Sequence, residues 1–495
     1  MTAVREEGVG APSLPSLVRV LRDIAVYGGG DLLLRGATII TLPIYTRYLL
    51  PKDYGAMSLV LSLSSFATGF LILGVDIAYA RYYFEDTALE ARRTLTSTAL
   101  AFVAAWSLLI VLLCLPFIHV FAGWAFGADE HAWLFAIALV SAPLTLLNQL
   151  LAQILRNEFR PALFSVLSIA TSVLAIATSL FCVIVLDLGV EGVLVGAGVG
   201  AGVMLPVRLH LARSHLTLRF DLGVVRKLLS FGLPLVPTAV AWWVFDLSDR
   251  IILGHSAGLN GLGIYTIAVS VASVLGLVTG ALGQAWSPYA FRIYEETPAL
   301  APAFYGRAFT LILAGFGILC VGLTAFARPL LIVLSTPPFY GAARAVGPLA
   351  LGFVAWATIQ VTASGISLTK KTGYFALYSW IAAALNVGLN LLFVPRYGMI
   401  AAAWSTFAAY LVLTLAYLVT SQRLWRVAYE TRRALTLAGL ILAFTIVFPY
   451  LPQWGASGSF LLGLAWSAGF LAMILALRIV DPRRLASLVS RGRAA

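Results

Sequence analysis

The sequence predicts an all-α integral membrane protein of about fourteen transmembrane helices, built as two pseudo-symmetric six-helix bundles with an added C-terminal helix pair. Three observations predict it. Of the 495 residues, 61% are hydrophobic and only 11% charged, whereas a soluble domain carries about 25% charged residues. Apolar stretches of bilayer-spanning length recur from one end of the chain to the other. The two halves also echo each other at a nearly constant offset: Gly29 pairs with Gly232, Arg47 with Arg250, Gly55 with Gly263 and Gly189 with Gly398.

The polar segment 1–22 holds no apolar signal core, so insertion is expected to start from the first span itself. Spans follow at 24–48, 56–80, 97–118, 132–154, 161–186 and 190–210, an N-lobe over 23–210. A basic linker, 211–227, leads to spans 228–251, 262–286, 304–326, 345–367, 374–394 and 400–420, a C-lobe over 228–420. A second linker, 421–433, precedes the pair 434–451 and 460–479 within 434–480, and a basic tail covers 481–495. Six is an even number, so both copies enter from the same side. Their relation is a pseudo-twofold along the membrane normal, with a cavity where the lobes meet. No loop is long enough for a soluble domain, which argues against a membrane-embedded glycosyltransferase or ligase.

The net charge of +12 is topological rather than a nucleic-acid footprint. With loops taken alternately, roughly 26 of the 33 Lys and Arg fall on one side and about 6 on the other. Arg92, Arg93, Lys370, Lys371 and the run from Arg423 to Arg433 belong to the rich side. The positive-inside rule therefore puts both termini in the cytoplasm, and the rich side suits an anionic inner leaflet. Cys114, Cys182 and Cys320 lie in separate spans without ligand spacing, as small apolar core residues do.

One charged pair falls in the middle of the first span. Arg35 lies roughly 16 Å inside if the helix enters the bilayer near Ile24, close to the centre of a hydrocarbon core about 30 Å thick. A guanidinium there must face protein, water or an anion. Asp31, one turn earlier, is an i,i+4 partner.

The stretch GYFALYSWIAAALNVGLNLLFVPRYGMIAAAWSTFAAYLV (373–412) resembles the C-terminal signature of the polysaccharide-transporter family, the Wzx-like flippases. LPIYTRYLLPKDYGAMSLVLSLSSF and LGVDIAYARYYFED resemble that family's first two helices, and SDRIILG with LGIYTIAVS its seventh and eighth. The resemblance implies the V-shaped fold of the multidrug/oligosaccharidyl-lipid/polysaccharide (MOP, MATE-like) superfamily. It implies a bacterial cytoplasmic-membrane flippase, not an enzyme, that moves a polyprenyl-pyrophosphate-linked oligosaccharide to the outer leaflet for O-antigen, capsule or exopolysaccharide assembly. A polysaccharide polymerase and chain-length machinery are the further partners it suggests. A lipid II flippase and a multidrug or organic-cation exporter share the fold and remain as alternatives, although the exporter would want an acidic cavity. In the fourteen-helix lipid II flippases the last two helices form a groove for the lipid tail, and 434–451 with 460–479 would serve likewise.

On this reading Arg35 holds the pyrophosphate, since Arg presents a planar fork to phosphate oxygens. Arg47 and Arg250 line the outer mouth with Lys52, Asp246 and Asp249, either as cargo contacts or as rim pairs, Asp246 with Arg250 being i,i+4. Asn148, Asn386 and Asn390 place amides inside spans, for sugar hydroxyls or for interhelical bonds. Trp242 and Trp243 offer ring faces to sugars or to packing. Arg81 with Glu85 and Arg292 with Glu295 flank the cytoplasmic mouth. Asp31, Asp76 and Asp246 are the candidate coupling groups for H⁺ or Na⁺, Asp76 having Arg81 as an alternative partner. No other cofactor and no metal centre is expected.

Overall fold

The computed structural model describes residues 41–85, 88–126, 131–158, 160–452 and 455–477. Asp31, Arg35 and glycines 28–30 lie outside the described residues. Every regular element among the described residues is helical.

Residues 41–48 end the first helix, and α1 (Pro51–Ile72) follows. Proline suits a first helical position because its missing N–H is not needed there, and the Asp53 carboxylate accepts the Leu50 N–H at 2.8 Å. α1 stops where Leu73 and Gly74 both adopt left-handed backbone, and α2 (Val75–Tyr82) continues from that break. α3 (Leu89–Cys114), α4 (Ile118–Phe126), α5 (Ala132–Asn157), α6 (Pro161–Ile184) and α7 (Gly189–Ala212) complete the first unit. α8 (Leu222–Gly232) is a short amphipathic helix capped by Asp221, with Val225 and Leu228 buried and Arg226 and Lys227 exposed.

α9 (Val236–Glu296) has 61 residues, about 90 Å if straight and far longer than one crossing needs. Gly258, with φ 68° and ψ 177°, divides it into two limbs. The Tyr265 hydroxyl donates to Asp249 across that break at 2.7 Å, so the limbs fold back on each other as two spans. α10 (Ala301–Leu334), α11 (Ala343–Thr362), the short α12 (Ser364–Leu368), α13 (Gly373–Tyr397) and α14 (Met399–Leu424) complete the second unit. α15 (Thr431–Val447) and α16 (Ala456–Ala476) follow. Among the described residues 12 helices are long and apolar enough to cross a membrane. Dividing the long α9 at Gly258 gives thirteen among the described residues, and residues 24–40 of the first expected span lie outside them.

The expected boundaries shift in one instructive place. The span expected from 228 starts at Val236, because 222–232 forms its own helix and Leu233–Leu235 a 3-10 turn. The amphipathic residues of α8 carry enough apolar character to extend a hydropathy window but pack along a surface.

An approximate twofold is visible where α1 crosses the second limb of α9. A Cβ on Gly55 would sit 2.0 Å from the Leu259 carbonyl oxygen, and one on Gly263 1.7 Å from that of Pro51. Gly55 and Gly263 are related by the same offset as Pro51 and Leu259, so each half offers its partner the same surface. Around this crossing, at the arginine-poor end, one apolar core containing Leu59, Leu253, Leu262, Leu331 and Phe339 joins both units. α15 and α16 pack on the flank of α10, where Ile441 covers Gly317 and Phe470 joins the core of Phe316, Cys320 and Val321.

Candidate functional site

The first limb of α9 faces α1 across the junction of the two units. Its Arg250 donates from Nε to Ser58 Oγ at 3.1 Å and from NH1 to Asp246 Oδ2 at 2.7 Å. The i,i+4 pair expected from the sequence is thus formed. The arginine side chain is 16% exposed and Asp246 61%, so the cation is held inside and its partner reaches outward. Arg250 lies about 12 Å along the helix from the break at Gly258, inside the apolar stretch Ala239–Gln284.

Next to it lies a cluster centred on Asp249, a residue expected at the outer rim. Asp249 is 6% exposed and accepts hydrogen bonds from Tyr265, from Thr406 Oγ1 at 2.6 Å and from Asn390 Nδ2. Asn390 also donates to Asn386 Oδ1 at 3.1 Å, and the Ser248 hydroxyl donates to the same oxygen at 2.6 Å. Asn386 and Asn390 therefore share one face, as their spacing predicts, but they serve a carboxylate within the second unit. Asn386 Nδ2 and Asn390 Oδ1 are buried with no partner among the described residues. The carboxylate, amide and hydroxyl oxygens drawn from both limbs of α9, α13 and α14 are hard donors, suited to a proton or a cation such as Na⁺. Among the described residues no group of three or more His, Cys, Asp or Glu is placed to hold a metal. Asp249 lies deeper than the expected helix end at 251 implies, because the first limb runs on to the break at Gly258.

Other expected residues are dispersed. Arg47 is exposed. Asn148 stitches α5 to α7, donating at 2.8 Å to Leu144 O and Ala201 O, inside the first unit and away from the junction. The arginine-rich mouth is wired differently from expectation. Glu85 pairs with Lys227 of α8 at 2.6 Å rather than with Arg81, because α8 packs against α2. Arg81 is freed to lie over the Phe231 ring at 4.6 Å, so it is not the partner of Asp76. Arg292 pairs with Glu296 at 2.9 Å, one i,i+4 turn along, rather than with Glu295. Trp243 packs its ring over Gly69 and against Phe66, closing α1 on α9 instead of presenting a face to a sugar.

The junction also holds an open-sided cavity of about 900 Å³ lined by α1, α3, α4, α5, the first limb of α9 and α13. Its walls are almost wholly apolar, with Phe66, Phe70, Ile110, Trp124, Leu247 and Leu391 among them. Such a chamber suits hydrocarbon rather than sugar or phosphate. The charge expected for a cationic chamber rests on Arg35, outside the described residues, and on Arg250 at the junction.

Helical units of bilayer-spanning length that meet at a glycine crossing, with charge buried beside it, define a multi-pass membrane protein. The chain belongs to the polysaccharide biosynthesis protein family, whose profile matches residues 20–294. It is 24% identical over 323 residues to the succinoglycan biosynthesis transport protein ExoT of Rhizobium meliloti, covering 64% of this chain and 62% of that protein. It is 22% identical over 197 residues to the uncharacterized membrane protein MJ1068 of Methanocaldococcus jannaschii, 39% of each chain. The matched regions thus span less than two thirds of these relatives. The fold is that of the MOP superfamily. The lipid II flippase MurJ in an inward closed conformation superposes with a TM-score of 0.70 at 14% identity, over 94% of this chain and 99% of that one. An inward-facing multidrug resistance MATE transporter superposes with a TM-score of 0.67 at 15% identity, over 86% and 99%.

Proposed function

We propose that this protein is a flippase that carries a polyprenyl-pyrophosphate-linked oligosaccharide from the inner to the outer leaflet of the bacterial cytoplasmic membrane, for assembly of an O-antigen, capsule or exopolysaccharide. The observation that carries the reading is the family match over residues 20–294. The geometry supports it. Arg250 bridges the two units, so it is placed to exchange Asp246 and Ser58 for an anionic head group as the lobes part. Arg35 would supply the second cation. The apolar chamber and the surrounding bilayer would take the polyprenyl chain while the lobes rock about the Gly55–Gly263 crossing. Coupling to H⁺ or Na⁺ is assigned to Asp249 in preference to Asp31, Asp76 and Asp246, because its oxygen cluster is buried and joins both limbs of α9 to α13 and α14.

Leaflet transfer of a pyrophosphate-linked oligosaccharide in proteoliposomes tests the reading. Arg35→Ala and Arg250→Ala should each lower the rate at least about tenfold, since each removes a cation proposed to hold the head group and about 1.4 kcal/mol of lost interaction is tenfold. Arg35→Lys should retain part of it. Undiminished transfer by both folded Ala variants removes the arginines from the mechanism. Transfer of lipid II in place of the oligosaccharide carrier replaces the substrate class.

A further inference from the structure

A second cationic site lies wholly within the first unit, away from the junction of the lobes. The arginine-rich ends of α5, α6 and α7 enclose a cavity of about 70 Å³, lined among others by Arg208, Arg160, Glu158, Ser214 and His215. A single water needs about 10–15 Å³ of such space, so the cavity has room for a group several times larger, such as a small oxyanion.

Arg208 is 6% exposed, one turn from the end of α7. Its contacts are long and neutral: NH2 donates to Thr171 Oγ1 at 3.2 Å, and NH1 points to the Asn148 carbonyl at 3.5 Å. Its Nε is buried with no partner among the described residues. No described carboxylate pairs with it. Glu158 is the carboxylate that lines the cavity with it, and it is already engaged by His215 Nε2 at 2.8 Å and Arg160 Nε at 3.4 Å. Two arginines against one carboxylate leave the cavity with one excess positive charge before His215 is counted. A buried guanidinium without an opposing charge is strongly disfavoured, and its fork of donors matches phosphate oxygens.

We propose that this cavity binds a phosphate oxyanion at the level of the inner-leaflet head groups. Arg208 supplies the fixed charge, and Arg160, His215 and Ser214 close the rim. Leu163 and Leu167 line the same cavity, and Leu211, also on its wall, is 44% exposed, so an acyl chain attached to the phosphate has an apolar surface to follow. A phospholipid head group and free phosphate share this chemistry.

Purified full-length protein in a neutral maltoside detergent tests the site, read by thermal unfolding and by equilibrium titration. The probes are inorganic phosphate, monomeric dihexanoyl-phosphatidylglycerol, and dihexanoylglycerol as the phosphate-free control. Binding of the phospholipid alone identifies a head-group site, binding of phosphate alone a solute site, and binding of both a site that reads only the oxyanion. Each supports the proposal when the control does not bind. Arg208→Met should weaken binding about tenfold or more, with Arg208→Lys intermediate because a point charge lacks the fork. If Arg208→Met cannot be recovered folded, the rim variants Arg160→Gln, at an exposed side chain, and His215→Gln, at a partly buried one, carry the same test and should weaken binding severalfold. Failure of both phosphate probes to bind the wild type, or unchanged binding by the folded variants, overturns it.

Discussion

Asp246, Asp249 and Arg250 occupy one turn and a half of the same limb, yet their surroundings are opposite. Asp246 reaches outward and is tied by Arg250, while Asp249 turns inward to three neutral donors. Asp249→Leu would strand those donors at about 1–3 kcal/mol each, and should sharply lower the melting temperature. Asp249→Asn keeps one acceptor oxygen and should fold. Its oligosaccharide transfer should lose dependence on an imposed H⁺ or Na⁺ gradient, and intact gradient dependence would rule the residue out of coupling. Asp76, beyond the end of the α1 span, behaves differently again. Burial raises its carboxyl above the usual pKa, and no described cation lies within ion-pair distance. With the folded pKa raised, the stability that the protonated acid permits is complete below the unfolded value and lost as pH rises through the folded one. Asp76→Asn should therefore raise the melting temperature at neutral pH, with the gain shrinking as pH falls toward 4, the ordinary carboxylate range. Melting curves of both proteins across that range check the sign.

At the scale of helices, close approach is set by glycine. At the crossing of α1 with α9 a methyl group has no room, since the nearest atoms are backbone and cannot rotate away. Gly55→Ala or Gly263→Ala should cost about 1–3 kcal/mol through overpacking, or force the lobes apart at the arginine-poor end. Gly280→Ala is the control, because no atom outside its own helix lies within 4 Å of the added carbon. Thermal unfolding and cysteine accessibility on that side distinguish the variants, and equal behaviour of all three would contradict the crossing. The Gly55–Gly263 correspondence is readable in the sequence as a repeat. That the two residues sit at one crossing is not, because an offset fixes equivalence and not contact. The pairing of Glu85 with Lys227 was equally hidden: the residues are 142 apart in sequence, and i,i+4 reasoning sees only local partners.

For the whole molecule, α15 and α16 lie on the flank of α10 and contribute Leu437, Ile441, Phe470 and Ile474 to the core of the second unit. In a bilayer such packing is driven by fit rather than by escape from water. A chain ending at residue 430 should therefore insert and keep the twelve-helix arrangement, but melt at lower temperature than the full chain. Size-exclusion profiles with a melting curve decide it, and a truncated chain as stable as the full one would show that the pair is only appended.

The sequence by itself determined the membrane class, the many apolar spans, the charge asymmetry and the internal repeat at an offset of 203 to 209 residues. Those depend on composition and length over about twenty consecutive residues, the local quantities that govern transfer into hydrocarbon. Tertiary structure decided which charges are buried and whom they meet. Asp249 gained its partners from the far limb of α9, α13 and α14, while Arg208 came to lie among neutral groups of α5 and α6. Burial of a polar group is a property of the faces that converge on it, and those faces come from residues far apart along the chain.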